Sequence, residues 1–192
     1  MIAKAISIQV DESFEYSMKV RNKVAKTEGY KIINEITHID YLTGLKNQKG
    51  FLELGDTSLK YCQAMGQGGL MVYFDIKNLN IINDGYGRPA GDHVLKSFAE
   101  ILTHNFRAND IVARIEGDKF AVISSGLTVD TYKKIVSDIS DECQSWKEKS
   151  GQPFDINVTS CFVMFPSLKY NYDIDGLMDN CAESLAKAKK QK

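Results

Sequence analysis

The chain has 192 residues and a formal net charge of −1 at pH 7, with hydrophobic and charged fractions that are ordinary for a globular protein. This length suffices for one domain with a sizeable core and a short extension. A charge near zero creates no overall field for nucleic acid or an anionic membrane, so nucleic acid is not expected as a partner.

The sequence carries no signal for a membrane or for secretion. No apolar run approaches the roughly 20 residues that a membrane-spanning helix needs, and the first residues lack the apolar core of a secretory signal. The cysteines are scattered without a Cys-x-x-Cys pair, which favours reduced thiols over a disulfide framework or a zinc site. These features predict a cytoplasmic protein without a membrane span.

The first 38 residues are predicted to form an N-terminal helical extension, and residues 39–192 a separate domain. The stretch 13–38 contains no proline, and its apolar positions fall loosely on one helical face. That face is thin, so the helix either pairs with a second chain, forming a homodimer, or lies on the domain. The apolar positions are Met18, Val24, Ile32, Ile33 and Ile36.

From residue 40 onward, predicted helices and strands alternate. A turn over 40–47 precedes a helix over 47–65, and the apolar run 70–76 is typical of a buried strand. A loop containing Gly85 and Gly87 follows. The remaining elements are a helix around 94–102, strands over 111–114 and 120–124, a helix around 129–146, a strand over 155–165 and a helix over 174–192.

The order strand, helix, strand, strand, helix, strand is the split β-α-β pattern of ferredoxin-like folds. It predicts an α+β domain with an antiparallel sheet of the ferredoxin-like or polymerase-palm type, flanked by helices that we expect on one face. This architecture carries no function by itself.

Two carboxylates lie where phosphoryl-transfer chemistry needs them. Asp75 ends the first predicted strand, and Asp118 lies in the tight turn between the next two. Mg²⁺ at a nucleotide prefers carboxylate oxygens together with phosphate oxygens, so the pair would hold a metal if the strands are neighbours.

Several motifs stand in a consistent order around these carboxylates. Residues 40–47 read Asp-x-Leu-Thr-Gly-Leu-x-Asn, the turn 116–120 reads Glu-Gly-Asp-Lys-Phe, and Arg107-x-x-Asp110 begins nine residues before that turn. Over about residues 40–189 the chain resembles the GGDEF family of bacterial diguanylate cyclases. The resemblance implies synthesis of cyclic di-GMP from two GTP molecules, or binding of cyclic di-GMP at the Arg-x-x-Asp site.

The resemblance also implies roles for single residues. Asn83 and Asp92 take the guanine-contacting positions, and an amide beside a carboxylate satisfies the donors and acceptor of a guanine edge. Lys189 takes the phosphate-binding position. Asp75 and Asp118 take the metal-binding positions, with Mg²⁺ needed only if GTP binds.

The catalytic turn departs from the Gly-Gly-Asp-Glu-Phe of the family. Glu116 replaces the first glycine and adds bulk and an anion where a triphosphate would lie. Lys119 replaces the glutamate. An ammonium pointing into the site would weaken metal binding strongly, whereas one pointing to solvent would leave residual turnover. We interpret the turn as vestigial; its residues are Glu116, Gly117, Asp118, Lys119 and Phe120.

The Arg107-x-x-Asp110 motif is, by contrast, complete. Arginine forks onto a phosphate or stacks on guanine, and aspartate accepts hydrogen bonds from the guanine N1–H and N2–H₂ groups. A solvated ion pair is the alternative interpretation. Arg114 and Asp40 are predicted to form a buried ion pair between the opening motif and the hairpin.

The residues therefore favour a degenerate GGDEF domain that is catalytically inactive and binds cyclic di-GMP through Arg107 and Asp110 as a signalling receptor. No cofactor is required for that function. A weak diguanylate cyclase, and a GTP-binding or protein-interaction module, stay open as alternatives. We expect a homodimer, formed through the N-terminal helix or bridged by ligand, and an unidentified protein partner.

Overall fold

The computed structural model describes residues 29, 37–166 and 172–190. The predicted extension over 1–38 lies outside the described residues except for Gly29, Thr37 and His38. The elements from residue 38 onward belong to one compact unit that runs from His38 to Lys192. In chain order they are α1 Gln48–Met65, β1 Gly69–Ile76, α2 Leu79–Tyr86, α3 Arg88–Asn105, β2 Ile111–Glu116, β3 Lys119–Ser125, α4 Val129–Ser150, β4 Val158–Phe165 and α5 Ile174–Lys190.

The strands form a four-stranded sheet in the order β2-β3-β1-β4. All neighbouring pairs are antiparallel, and β1 is central, with Asp75 opposite Lys119 on β3 and opposite Thr159 on β4. The opening turn adds a short edge, because Lys46 pairs in parallel with Ala113 of β2. The predicted α+β fold with an antiparallel sheet is therefore confirmed.

Helices cover both faces of the sheet, which corrects the expectation of helices on one face. Alternate side chains of β1 point to opposite faces, so this strand contributes to two cores. Leu70, Val72, Phe74 and Ile76 pack with α3 and α4, whereas Met71 and Tyr73 pack with α1 and α5. A continuous apolar run in β1 reflects this burial on both sides.

The ends of the helices follow from their capping residues. Asn47 caps α1 because its side chain accepts a hydrogen bond from the Gly50 N–H group. Thr128 caps α4 by accepting a hydrogen bond from the Thr131 N–H group. The predicted end of α1 at Gly66 is confirmed, since this glycine adopts a left-handed conformation with φ of 62°.

Two element boundaries differ from the prediction. Residues 79–86, taken as part of a loop, form α2, because Leu79 and Ile82 are buried and anchor one short helical face. Strand β4 begins at Val158 rather than at residue 155. None of the described helices has the length and apolar character that a membrane span requires.

Two helical glycines differ in what surrounds them, and this difference predicts opposite effects of Gly→Ala substitution. A Cβ atom at Gly50 of α1 would lie 2.5 Å from the carbonyl oxygen of His38, which is backbone and cannot rotate away, whereas a Cβ at Gly85 of α2 would meet nothing within 4 Å. Gly50→Ala should lower the free energy of unfolding by about 1–3 kcal/mol. Gly85→Ala should leave it unchanged or raise it by up to about 1 kcal/mol.

Urea unfolding of the two variants beside the wild-type protein measures both effects. Equal destabilisation by the two substitutions would contradict the packing assigned to α1 and the opening turn.

Candidate functional site

Asp75 lies at the end of the central strand, with only 2% of its surface exposed. Residues directly opposite each other in a sheet share a face, so Lys119 of β3 and Thr159 of β4 flank it on the side covered by α5. From α5, Lys189 donates a hydrogen bond from Nζ to Asp75 Oδ2 at 2.6 Å. The carboxylate predicted to hold a metal thus already has an ammonium partner.

The two charged departures in the catalytic turn pair with each other. Lys119 Nζ lies 3.0 Å from Glu116 Oε2, across the two-residue turn of the β2–β3 hairpin. The hydrogen bond to Glu116 is the largest influence and raises the pKa of Lys119; burial opposes it, and the charges of Glu116, Asp118 and Asp75 each add a smaller increase. Lys119 therefore stays protonated at neutral pH and remains in the field of the site carboxylates.

The hairpin turn is held against the end of β1. Gly117 has φ of 46°, a left-handed conformation that glycine adopts without a steric penalty. The Ile76 N–H group donates to the Asp118 carbonyl oxygen at 3.0 Å. The predicted neighbourhood of Asp75 and Asp118 is therefore present.

These two carboxylates line one cavity of about 330 Å³. Lys77, which directly follows β1, and Lys189 of α5 also line it. Asn78, which has a left-handed φ of 58°, precedes the first residue of α2 and does not cap this helix by its side chain. The uncapped N–H groups of α2 are suited to an anion. The lining residues are Asp75, Ile76, Lys77, Asn78, Asp118 and Lys189.

The described residues do not form a complete metal site. No group of three or more histidine, cysteine, aspartate or glutamate side chains in the described ranges is arranged to hold a metal ion. Asp75 and Asp118 are the two carboxylates among the described lining residues, and Lys189 donates a hydrogen bond to one oxygen of Asp75. The ion pair with Lys189 therefore compensates the charge of the buried Asp75 carboxylate.

The residues at the guanine-contacting positions lie where α2 meets α3. The side chain of Asn83 is half-buried and touches Gly91, since a Cβ atom at Gly91 would overlap the Asn83 amide oxygen. Asp92 follows Gly91 and is exposed. The structure thus brings Asn83 next to the backbone that carries Asp92, on the side of β1 opposite to Lys189.

Arg114 connects the hairpin to the opening turn, as predicted. Its Nη1 lies 3.3 Å from Asp40 Oδ1, its Nε donates to the Gly117 carbonyl oxygen at 2.8 Å, and both charged side chains are largely buried. Asp40 Oδ1 also accepts hydrogen bonds from the N–H and hydroxyl groups of Thr43. The predicted buried ion pair is confirmed.

Arg107 and Asp110 lie on a second cavity, of about 490 Å³, between the opening turn, α1 and the α3–β2 loop. The Asp110 carboxylate accepts a hydrogen bond from the backbone N–H of Arg107 at 2.9 Å, and the Asp110 N–H donates to the Arg107 carbonyl oxygen at 2.9 Å. The Arg107 guanidinium is exposed and makes no side-chain contact with the described residues. The structure thus shows a hydrogen bond from backbone to carboxylate at this motif and no ion pair between the two described side chains.

Sequence reasoning missed two pairings. It assigned Asp75 and Lys189 separate roles at metal and phosphate, whereas they contact each other across 114 positions. It also treated Glu116 and Lys119 as independent departures. Opposite charges on either side of a two-residue hairpin turn were the signal for the second pairing, because such residues face each other. No local sequence pattern indicated the pairing of Lys189 with Asp75.

Comparison with known proteins identifies the family to which this chain belongs. The family model "Diguanylate cyclase, GGDEF domain" matches residues 37–192. The cyclic di-GMP phosphodiesterase NbdA of Pseudomonas aeruginosa is 34% identical over 105 residues, which is 55% of this chain and 13% of NbdA. The diguanylate cyclase DgcS of Shewanella oneidensis is 33% identical over 87 residues, 45% of this chain and 29% of DgcS. The matches span less than a third of these curated relatives.

Solved structures share the fold. The GGDEF domain of DgcB from Caulobacter crescentus, crystallised with cyclic di-GMP, superposes with a TM-score of 0.72 over 81% of this chain and 91% of that chain at 23% identity. The GGDEF domain of TpbB from Pseudomonas aeruginosa superposes with a TM-score of 0.72 over 81% of this chain and 90% of that chain, at 25% identity. Because the family match extends over most of its residues, this chain belongs to the GGDEF family of diguanylate cyclase domains.

Proposed function

We propose that this GGDEF domain binds cyclic di-GMP through Arg107 and Asp110, makes no appreciable cyclic di-GMP itself, and acts as a receptor or regulator in bacterial cytoplasmic signalling. The observation that carries the proposal is the exposed Arg107 guanidinium, which is without a side-chain partner among the described residues at the mouth of a cavity of about 490 Å³. An unpaired guanidinium forks onto phosphate oxygens or stacks on a purine.

Asp110 supplies the complementary acceptor. Its Oδ2 is held by the Arg107 N–H group, which fixes the carboxylate in place while the other oxygen stays available to a guanine edge. The DgcB domain, whose structure contains cyclic di-GMP, has the same fold and supports this ligand class by analogy.

The charge arrangement at the vestigial turn supports the absence of synthesis. Lys189 engages Asp75 at 2.6 Å and Lys119 engages Glu116 at 3.0 Å, so two ammonium groups stand beside the carboxylates that a metal would need. Mg²⁺ would have to displace Lys189 and would meet Lys119 at close range.

A weak diguanylate cyclase is the second candidate. It is favoured by one observation, that Asp75 and Asp118 line the same cavity of about 330 Å³. In this case GTP and Mg²⁺ would enter together, because phosphate oxygens would complete the metal coordination that the two carboxylates begin.

Inactivity as a cyclase is the first prediction. Incubation of the purified protein with GTP and Mg²⁺ or Mn²⁺, followed by chromatography, should yield no more cyclic di-GMP than a sample without protein. The matched variant Glu116→Gly with Lys119→Glu removes the anion at position 116 and replaces the cation at position 119 with a carboxylate, so it should raise any turnover above the wild-type level. Robust turnover by the wild-type protein would establish the cyclase instead.

Ligand binding at Arg107 is the second prediction. Arg107→Ala should weaken cyclic di-GMP binding about tenfold to a hundredfold, because a bidentate charged contact contributes about 1.5–3 kcal/mol. Asp110→Asn keeps an oxygen for the Arg107 N–H group but lacks the negative charge, so it should weaken binding without opening the loop. Calorimetric titration measures the affinities.

Asn83→Ala is the control, because it alters the vestigial substrate side. It should leave cyclic di-GMP affinity within about twofold of wild type. Loss of binding in Asn83→Ala with retention in Arg107→Ala would move the ligand to the vestigial substrate side, where Asn83 lies.

Dimerisation through the N-terminal extension is a further proposal, based on the thin apolar stripe in residues 13–38. Light scattering should give a dimer mass for the full chain and a monomer mass for a chain beginning at Ile39, both without ligand. Equal masses for the two chains would contradict a dimerising role of the extension.

A further inference from the structure

The backbone of Lys46 is anchored at the edge of the sheet. Its N–H group donates to the Val112 carbonyl oxygen at 3.3 Å, and its carbonyl oxygen accepts from the Arg114 N–H group at 2.9 Å. On its other side Lys46 bridges to Ile39 within the opening turn. Pairing on both sides holds the residue in place beside β2.

The register of this pairing sets the direction of the Lys46 side chain. Lys46 pairs with Ala113, whose side chain is buried on the face that α1 covers, so the lysine side chain leaves the backbone on that same face. Ile111, two residues before Ala113, lies on this face as well. Lys46, Ile111 and Leu54 of α1 all line the cavity that contains Arg107. Lys46 is half-buried, which suits an aliphatic stem packed on apolar groups with its ammonium in water.

The charges of this cavity are unbalanced. Lys46 and Arg107 contribute two cations to the lining, and Asp110 contributes the one carboxylate among the described lining residues. The Lys46 ammonium makes no hydrogen bond or ion pair with the described part of the chain. An excess of positive charge in a concave site favours an anionic ligand.

The rim beside these cations is apolar. Ile39 and Leu54 are among the exposed large hydrophobic side chains of the described residues, at 36% and 41% exposure. A surface that combines two cations with aliphatic groups matches a ligand in which flat rings are joined to phosphates.

We infer that Lys46 is a second phosphate-binding residue of the Arg107 cavity. Cyclic di-GMP carries two phosphodiesters, so one is bound by Arg107 and the other lies within the field of Lys46, while Asp110 faces a guanine edge. The inference rests on the proposed function and assigns to the opening turn a direct part in ligand binding. Because the backbone of Lys46 is already fixed, binding orders only its side chain.

Calorimetric titration of the full chain with cyclic di-GMP, at low and at moderate salt, tests this assignment. Lys46→Met keeps the aliphatic stem and should weaken binding about five- to tenfold. It should also reduce the dependence of affinity on salt, since one screened contact is lost. Lys46→Arg should bind within about twofold of wild type. Lys133→Met, on exposed α4 and outside the cavity lining, is the matched control and should change neither quantity.

Each other result has a defined meaning. If Arg107→Ala weakens binding and Lys46→Met does not, the assignment of Lys46 is wrong while the proposed function stands. If Lys46→Arg loses affinity as strongly as Lys46→Met, the residue acts through packing and its assignment as a phosphate contact is wrong. If the wild-type chain binds no cyclic di-GMP, both are wrong. Lys46→Gln replaces Lys46→Met if urea unfolding shows that the methionine variant is not folded.

Discussion

The buried contact of Arg114 with Asp40 is the constraint on which both cavities depend. The side chain of Arg114 extends from β2 and connects the opening turn to the hairpin turn. The Arg114 side chain is 14% exposed and the Asp40 side chain 9% exposed. The opening turn lines the cavity that contains Arg107, and the hairpin turn places Asp118 in the lining of the cavity that contains Asp75. Removing one partner of a buried ion pair typically costs about 3–5 kcal/mol, because the other charge is left buried and unpaired, so loss of either residue would disturb both sites as well as the fold.

The hairpin turn shows how two charged substitutions can be accommodated together. A carboxylate as buried as Asp75 requires a cationic partner, and Lys189 provides one at 2.6 Å. Glu116 would place an uncompensated anion at the turn, but Lys119 neutralises it at 3.0 Å. The two departures from the family pattern are thus one paired change, and together they leave the hairpin intact.

The fold was accessible from sequence because its signals are local. Asn47 and Gly66 mark the ends of α1, and the run from Leu70 to Ile76 marks the central strand. Helix α2 was not predicted because its two buried side chains, Leu79 and Ile82, form too weak a helical pattern beside the neighbouring glycines. The apolar run of β1 did indicate burial on both faces, but the order of the elements alone did not show which helices cover each face.

The order and spacing of motifs by themselves determined the family, the antiparallel fold and the Arg114–Asp40 pair, because these follow from motifs that recur in a fixed order within a family. Only the tertiary structure decided how the other charged side chains are arranged. Lys189 reaches Asp75, Lys119 turns to Glu116, Asp110 bonds to backbone, and Lys46 joins Arg107 at one cavity. The physical reason is that electrostatic partners are selected by distance in space, and residues from separate elements acquire that distance only when the sheet and its helices have packed.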